Sequence, residues 1–360
     1  MSHTFHLALS LASAVAVLGA AGIVPGVISA AQAQGSAPGL DVPARTLPVP
    51  DTVSPQVQKL IAAPRRPGWD VLPKTGEAWK PLVEAGAKAT IANLPALKER
   101  TKVSVEPTTI DGVRAFVVTP AAIAPANQNR VLIHMHGGCY VLSPGEAGLP
   151  EAVLMAGFGG FKVVSVDYRM PPEAYFPAAL DDGVTVYKNL LKAHNPKNIA
   201  IFGTSAGGAL TLEIVLKAKQ LGLPVPAAIA PGTPMSDVTK VGDTFQTNEL
   251  VDNVLVSRDG FCDAAAKVYA NGHDMKDPLL SPVYGDMAGF PPTILTSGTR
   301  DLLLSNTVRV HRKLRQAGVE AVLQVYEGQS HAHYLRDDSA PETREVFGEI
   351  ALFFDKHMAR

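Results

Sequence analysis

A serine in a glycine-rich turn is the first feature of this sequence that can do chemistry. Residues 203–207 have the order Gly-Thr-Ser-Ala-Gly, a G-x-S-x-G pattern. An apolar run precedes it at 199–202 and a helical segment follows at 206–220. The glycines permit a tight strand-to-helix turn that exposes the serine above a sheet. The pattern therefore predicts that Ser205 is a nucleophile at a helix N-terminus, where the helix dipole favours developing negative charge.

A serine nucleophile needs a base and a carboxylate that orients the base. Asp301 follows the apolar run at 293–296, and His331 follows the run at 321–326. Both positions agree with the order serine, acid, histidine, each placed after a later strand. The sequence therefore predicts Asp301 as the acid and makes His331 a candidate for the base.

Other side chains compete for these roles. His333 is two residues beyond His331, and periodicity alone does not separate the two. His311 lies in a helical segment among basic residues, and Asp277 is a rival acid that no strand precedes. Cys139 lacks the sharp turn of a nucleophile, so we expect it to fill space as a small apolar side chain.

The segment 134–140, His-Met-His-Gly-Gly-Cys-Tyr, follows the apolar run at 131–134. Gly137 and Gly138 allow backbone N–H groups to approach a substrate oxygen closely, and the N–H of Ala206 is a further donor. These groups are the predicted oxyanion hole. His136 is predicted to support the loop through hydrogen bonds.

Short β-branched runs alternate with helical segments from residue 102 onward, which predicts an α/β fold with an open, mostly parallel sheet and helices on both faces. The predicted strands are Val103–Val105, Ala115–Val118, Val131–His134, Val163–Val166, Ile199–Phe202, Ala227–Ala230, Thr293–Thr296 and Ala321–Tyr326. The first two are expected to form an antiparallel hairpin. The predicted helices between strands are Gly148–Ala156, Ala178–Ala193, Ala206–Gln220 and Ser305–Ala317.

The order of these segments predicts the domain organisation. Residues 1–33 are typical of a secretory signal peptide cut near Ala33, the alternative being an uncleaved anchor. A cleaved signal implies an exported protein, periplasmic or secreted, and a non-functional one implies a cytoplasmic protein. The remaining segments are a linker at 34–54, N-terminal cap helices at 55–100, the first part of the core at 101–236, a cap insertion at 237–275 and the second part of the core at 276–360.

Composition excludes several classes of protein. The 360 residues carry a formal net charge of −1, which gives no basic surface for nucleic acid or anionic lipid. With 46% apolar and 18% charged residues, the chain is not mainly disordered. Two cysteines, Cys139 and Cys262, cannot make a disulfide framework. No metal-ligand spacing, P-loop or dinucleotide fingerprint is present, so no metal or cofactor is expected.

Together these motifs resemble the hormone-sensitive-lipase-like family of α/β hydrolases, in the branch with threonine before the serine. The match extends from about residue 50 to the C-terminus. Its markers are His-Gly-Gly at 136–138, Asp-Tyr-Arg at 167–169, Phe-Pro-Ala-Ala at 176–179, Asp-Asp at 181–182 and Gly-Thr-Ser-Ala-Gly-Gly at 203–208. Asp-Pro at 277–278 and Ser-Pro at 281–282 are similar to bacterial carboxylesterases and monoterpene-lactone hydrolases.

The resemblance implies the α/β-hydrolase fold, an eight-stranded sheet with a helical cap, and the roles given above for individual residues. It favours His331 over His333, because His331 directly follows Gly-x-Ser. Cys139 replaces a glycine that the family often has. Arg169 is expected to pair with Asp181 or Asp182 and to be structural.

The activity implied by the resemblance is that of a serine carboxylesterase acting on short- to medium-chain acyl esters through an acyl-serine. The expected partner is a small-molecule ester. The family resemblance also makes a homodimer an expectation. No stable membrane insertion is expected after cleavage of the signal peptide. Alternatives with the same triad are a lactone hydrolase and an acetyl-ester deacetylase. A peptidase and a non-catalytic ligand-binding homologue are alternatives of other classes, and the sequence favours them less. Candidate pocket residues are Tyr140, Cys139, Phe245 and Phe261.

Overall fold

The computed structural model describes residues 39–359, which fall into two units separated after Leu47. Residues 39–47, in the first unit, have no helix or strand. The predicted signal peptide at 1–33 lies outside the described residues, as does the start of the predicted linker. Among the helices at 39–359, none has the length and apolar character needed to span a bilayer.

The second unit is built on one eight-stranded sheet. Its strands are β1 Val103–Ile110, β2 Val113–Pro120, β3 Val131–Met135, β4 Lys162–Val166, β5 Ile199–Thr204, β6 Ala228–Gly232, β7 Thr293–Gly298 and β8 Ala321–Tyr326. The spatial order is β1-β2-β4-β3-β5-β6-β7-β8. β1 and β2 form the predicted antiparallel hairpin, β2 is antiparallel to β4, and the other neighbours are parallel. The predicted mostly parallel α/β sheet is therefore confirmed.

Helices cover both faces of the sheet. They are α1 Pro55–Ala62, α2 Gly76–Thr101, α3 Pro150–Gly159, α4 Ala178–Leu190, α5 Ala206–Gln220, α6 Thr244–Thr247, α7 Phe261–Ala270, α8 Leu304–Gln316 and α9 Pro341–His357. No helix was predicted from the sequence at the position of α9. Its signal is nevertheless present, because a proline opens the helix and the buried residues Val346, Phe347, Ile350 and Phe354 recur at helical spacing.

The core has two parts, one on each face. Ile133 of β3 belongs to a cluster that includes residues of α4, α5 and α8, whereas its neighbour Leu132 belongs to a cluster with α3 and α9. This alternation follows from the period of two in a strand that is buried on both sides. Each such buried side chain contributes about 1.5–3 kcal/mol, so the central strands form a rigid platform.

The N-terminal helices contact both the core and the segment 237–275. Ser54 caps α1 and also donates two 2.7 Å hydrogen bonds to the carboxylate of Glu342, in α9. Residues 48–54, which the sequence placed in the linker, thus belong to the second unit. Asn253 Nδ2 donates to the carbonyls of Leu60 and Ala63 at the end of α1. These bonds hold the N-terminal segment beside the residues that follow β6.

Candidate active site

The turn between β5 and α5 holds Ser205 in a strained conformation. Its φ of 65° and ψ of −120° lie outside the regions that L-residues normally adopt. A Cβ atom on Gly203 or Gly207 would collide with the carbonyl oxygen of Met135, so only glycine fits at either position. The backbone is fixed by a 2.9 Å bond from Ser205 N–H to the Gly232 carbonyl. Strain held by surrounding structure in this way is common at functional sites.

His331 and Asp301 meet at the same edge of the sheet. His331 Nδ1 lies 3.1 Å from Asp301 Oδ1 and 3.3 Å from Oδ2. The Asp301 carboxylate is fully buried and accepts further bonds from the Thr233 hydroxyl at 2.5 Å and the Leu303 N–H at 2.8 Å. His331 lines the same cavity as Ser205. With Nδ1 engaged by Asp301, Nε2 is the ring nitrogen left for Ser205.

The side chains that competed for the roles of base and acid have other hydrogen-bond partners. His333 Nδ1 accepts a bond from Ser330 N–H, and its Nε2 pairs with the Asn253 side chain at 2.9 Å. Burial lowers the pKa of His333 to about 4, so its ring is neutral. His311 Nε2 lies 3.3 Å from the Ala321 carbonyl, and Asp277 pairs with the exposed His273 at 2.6 Å. The structure therefore groups Ser205 with His331 and not with these residues.

The loop after β3 lies against the serine turn. A Cβ on Gly137 would be 2.9 Å from the Thr204 carbonyl, and Gly138 has a φ of +121°, so both positions require glycine. His136 stacks on the Tyr168 ring at 4.0 Å and its Nδ1 donates to the Gly137 carbonyl at 2.8 Å. Burial lowers the pKa of His136 to about 4, which keeps the ring neutral. These contacts fit the supporting role predicted for His136.

Two buried carboxylates beside the site, Glu151 and Asp252, were not predicted from the sequence. Glu151, in α3, accepts bonds from the Thr204 N–H at 3.1 Å and the Thr204 hydroxyl at 2.6 Å, directly before Ser205. Asp252 accepts from the backbone N–H of Leu302 at 2.9 Å and of His331 at 3.4 Å. Burial, with the nearby Asp301 charge, raises the pKa of Asp252 to about 6. Both carboxylates fix the backbone beside the candidate triad.

The expectation for Cys139 was wrong in one respect. Cys139 and Cys262 form a disulfide, across 123 residues of chain, that joins the loop after β3 to the first turn of α7. No local pattern predicts this pairing, because the two positions meet only through the tertiary fold. The bond holds the loop containing Gly138 against the segment 237–275.

Removing the disulfide is expected to destabilise the protein. Replacing both cysteines with serine should lower the free energy of unfolding by about 2–4 kcal/mol, because the unfolded chain regains the entropy of a long loop. Urea denaturation of the wild type and of the double variant, each with and without dithiothreitol, measures this. The reductant should affect only the wild type; equal stability of all four samples would contradict the prediction.

Arg169 forms the ion pair that was predicted for it. Its guanidinium and backbone N–H donate to the Asp182 carboxylate, with a shortest distance of 2.7 Å. Asp182 is thus the partner, and the pair ties the segment after β4 to α4. This arrangement is structural, as expected.

Two predicted pocket residues do not line the cavity. The buried Tyr140 donates its hydroxyl to Glu213 at 2.9 Å and stacks on Tyr269 at 4.5 Å, so its ring is part of the core. Phe245 is likewise buried in the core cluster of that face. Cys139 and Phe261 do line the cavity. The prediction is therefore corrected for Tyr140 and Phe245.

The cavity at the serine has a volume of about 680 Å³. The α2 helix contributes much of one wall, and residues around the serine turn and the β3 loop contribute the other. Apolar lining residues include Leu82, Val83, Leu94, Leu142, Leu154 and Leu255. A cavity of this size is typical of small-molecule sites. Within residues 39–359, no cluster of histidine, cysteine or acidic side chains is arranged to hold a metal ion.

Comparison with known proteins identifies a family and relatives of this chain. Residues 132–335 match the family described as alpha/beta hydrolase fold. An acetyl-hydrolase of Streptomyces hygroscopicus is 29% identical, over 64% of this chain and 77% of its own length. An esterase of Acinetobacter venetianus is 28% identical, over 70% of this chain and 82% of its own.

Solved structures extend the similarity over most of the chain. A crystal structure of an esterase is 42% identical, covers 89% of this chain and 99% of its own, and has a TM-score of 0.86. A second, of an esterase from the bacterial hormone-sensitive lipase family, is 27% identical, covers 85% of this chain and 99% of its own, and has a TM-score of 0.71.

Proposed function

The chain belongs to the α/β-hydrolase fold family and is a carboxylic-ester hydrolase similar to hormone-sensitive-lipase esterases, and on that basis we propose that Ser205, Asp301 and His331 hydrolyse esters through an acyl-serine. The observation that carries the proposal is that the strained Ser205 lines one cavity with His331, whose Nδ1 is bonded to a buried carboxylate.

The reaction follows from these positions. His331 Nε2 removes the proton of Ser205 as its oxygen attacks the ester carbonyl. The N–H groups of Gly137, Gly138 and Ala206 bind the oxyanion of the tetrahedral intermediate. The protonated His331 then gives its proton to the leaving alcohol, and Asp301 stabilises the imidazolium. Water, activated by the same ring, attacks the acyl-serine and releases the acid.

The cavity volume and its apolar lining support short- to medium-chain acyl esters as substrates. The name of the Streptomyces hygroscopicus relative, acetyl-hydrolase, favours acetyl esters among the short members of that class. A lactone would use the same groups. A purely binding role is less well supported, because the chain retains serine, acid and histidine together.

Export from the cytoplasm is a further part of the proposal. The disulfide between Cys139 and Cys262 supports it, since such bonds persist in oxidising compartments. The N-terminal sequence, with its apolar run and Ala-x-Ala pattern, points the same way. A homodimer stays an expectation from the family resemblance alone.

Covalent labelling tests the proposed nucleophile. A fluorophosphonate should react with the intact protein, losing fluoride and adding one phosphonyl group to the serine oxygen, because only an activated serine attacks it quickly. Intact mass spectrometry should show a single adduct, and peptide mapping should place it on Ser205. Prior denaturation is the control and should abolish labelling. An unlabelled native protein, or an adduct on another residue, would refute the assignment.

A further inference from the structure

Two arginines that line the active-site cavity have no acidic partner among the described residues. Arg66 precedes α2, and Arg336 follows His331 by five residues; both line the cavity that contains Ser205. Among residues 39–359, no carboxylate lies within ion-pair distance (4 Å) of either guanidinium. A third lining arginine, Arg100, is different, because both oxygens of the Asp338 carboxylate accept from it at 2.7 Å.

The Arg66 and Arg336 side chains belong to the wall of the same cavity, and the charge of Arg336 acts on Arg66. Both residues are exposed to solvent, yet the surrounding protein removes enough water to lower the pKa of each guanidinium. The charge of Arg336 further lowers the pKa of Arg66, and Asp252 partly offsets the effect of burial at Arg336. Two like charges in a partly desolvated site repel each other, and a bound anion would relieve that repulsion.

Neighbouring contacts fix the position of Arg66. Its guanidinium carbon lies 4.2 Å from the centre of the Phe261 ring, a cation–π contact. Phe261 is held in turn by a 2.8 Å bond from its N–H to the Trp69 carbonyl and by the adjacent disulfide at Cys262. The Arg66 backbone N–H donates to the Asn253 carbonyl at 2.9 Å. The guanidinium is therefore held in place before any ligand arrives, which lowers the entropic cost of binding.

We propose that Arg66 and Arg336 form an anion subsite, so that preferred substrates are esters carrying a carboxylate or phosphate at the end remote from the scissile bond. The inference rests on the proposed esterase function and adds the charge of the substrate to it. Guanidinium groups suit this role because their planar N–H donors match the oxygens of carboxylate and phosphate. The apolar wall of α2 would contact the rest of such a substrate.

Matched charged and neutral esters test the proposal. On the alcohol side the pair is 4-acetoxybenzoate and its methyl ester; on the acyl side it is monoethyl adipate and diethyl adipate. Arg336→Gln should lower kcat/KM for the charged member of at least one pair by about 10–100-fold, the range expected for hydrogen bonds to a charged group. Neutral members should change by less than about twofold.

Further variants separate charge recognition from structural damage. Arg336→Lys should recover part of the preference, and Arg312→Gln, on the exposed surface of α8 outside the cavity, should change nothing. Should Arg336→Gln fail to fold, Arg66→Gln takes its place. Competitive inhibition of the wild type by adipate or by inorganic phosphate identifies the preferred anion. If Arg336→Gln lowered kcat/KM equally for charged and neutral esters, or lowered it for neither, the anion subsite would be refuted.

The two proposals fail in different ways. If the wild type hydrolyses neutral esters and Ser205→Ala does not, the esterase proposal stands whatever the charge preference. If neither ester type is hydrolysed by folded wild-type protein, the esterase proposal itself is wrong.

Discussion

Replacement of Ser205 by alanine is expected to lower kcat for ester hydrolysis by about 10⁶-fold, the scale seen when a triad serine is lost. The oxygen that would form the acyl-enzyme is absent, and only binding and the oxyanion donors are left to accelerate attack by water. The measurement is the hydrolysis of p-nitrophenyl esters from C2 to C12, with wild-type activity highest at the short chains.

The Ser205→Ala variant should fold normally. The N–H of Ser205 bonds to Gly232, and the Ser205 carbonyl accepts from the Met235 N–H; both bonds use backbone atoms that alanine keeps. Its melting temperature should therefore match that of the wild type. Ser104→Ala, at an exposed position on β1, is the matched control and should retain full activity. Residual activity of Ser205→Ala above about 1% of wild type would show that another residue is the nucleophile.

Local patterns predicted much of the fold and of the candidate triad. The β5–α5 turn could be predicted from its glycines. Gly203 and Gly207 are required because the Met135 carbonyl oxygen approaches both of them too closely for a Cβ atom. Strands buried on both faces are continuous apolar runs, so β3 to β7 were found within one or two residues of their ends. Asp301 and His331 could be proposed because each follows such a run.

Features that depend on distant parts of the chain were not predictable in this way. The disulfide joins positions 123 residues apart, and nothing in the neighbourhood of Cys139 indicates Cys262. Tyr140, the last residue of the segment 134–140, was named as a candidate pocket residue. Cys139 and Tyr140 both have left-handed backbone conformations, with φ of 54° and 65°. The chain turns there, and the Tyr140 ring lies in the core.

Burial of Glu151 could have been predicted from the local sequence, whereas its hydrogen-bond partners could not. Its helix continues with five apolar residues, Ala152 to Ala156, all buried. A carboxylate beside such a run has to find hydrogen-bond donors inside the protein, and this was a usable signal. The identity of the donors, the Thr204 N–H and hydroxyl, depends on how α3 packs against β5 and could not be read from the sequence.

Replacement of Asp301 by asparagine is the second change with a large expected effect, a fall in kcat of about 10⁴-fold with much smaller change in KM. The amide lacks the negative charge that stabilises the His331 imidazolium. Its NH₂ group, at the place of Oδ2, would lie 3.3 Å from His331 Nδ1 and favour the tautomer with Nδ1 unprotonated. In that tautomer Nε2 carries the proton and cannot accept one from Ser205.

Surrounding groups should let the Asp301→Asn variant fold. The amide oxygen can still accept a hydrogen bond from the Leu303 N–H. The Thr233 hydroxyl donates to Oδ2 of Asp301 in the wild type, and in the variant it can rotate and accept from the new NH₂ group. Asp277→Asn is the matched control, because Asp277 was the rival acid and its carboxylate pairs with His273 instead. That control should keep kcat within about twofold of wild type, since it leaves the hydrogen bonds of His331 intact. A loss of less than about tenfold for Asp301→Asn, with the folded state verified by circular dichroism, would mean that the His331–Asp301 pair does not orient the base.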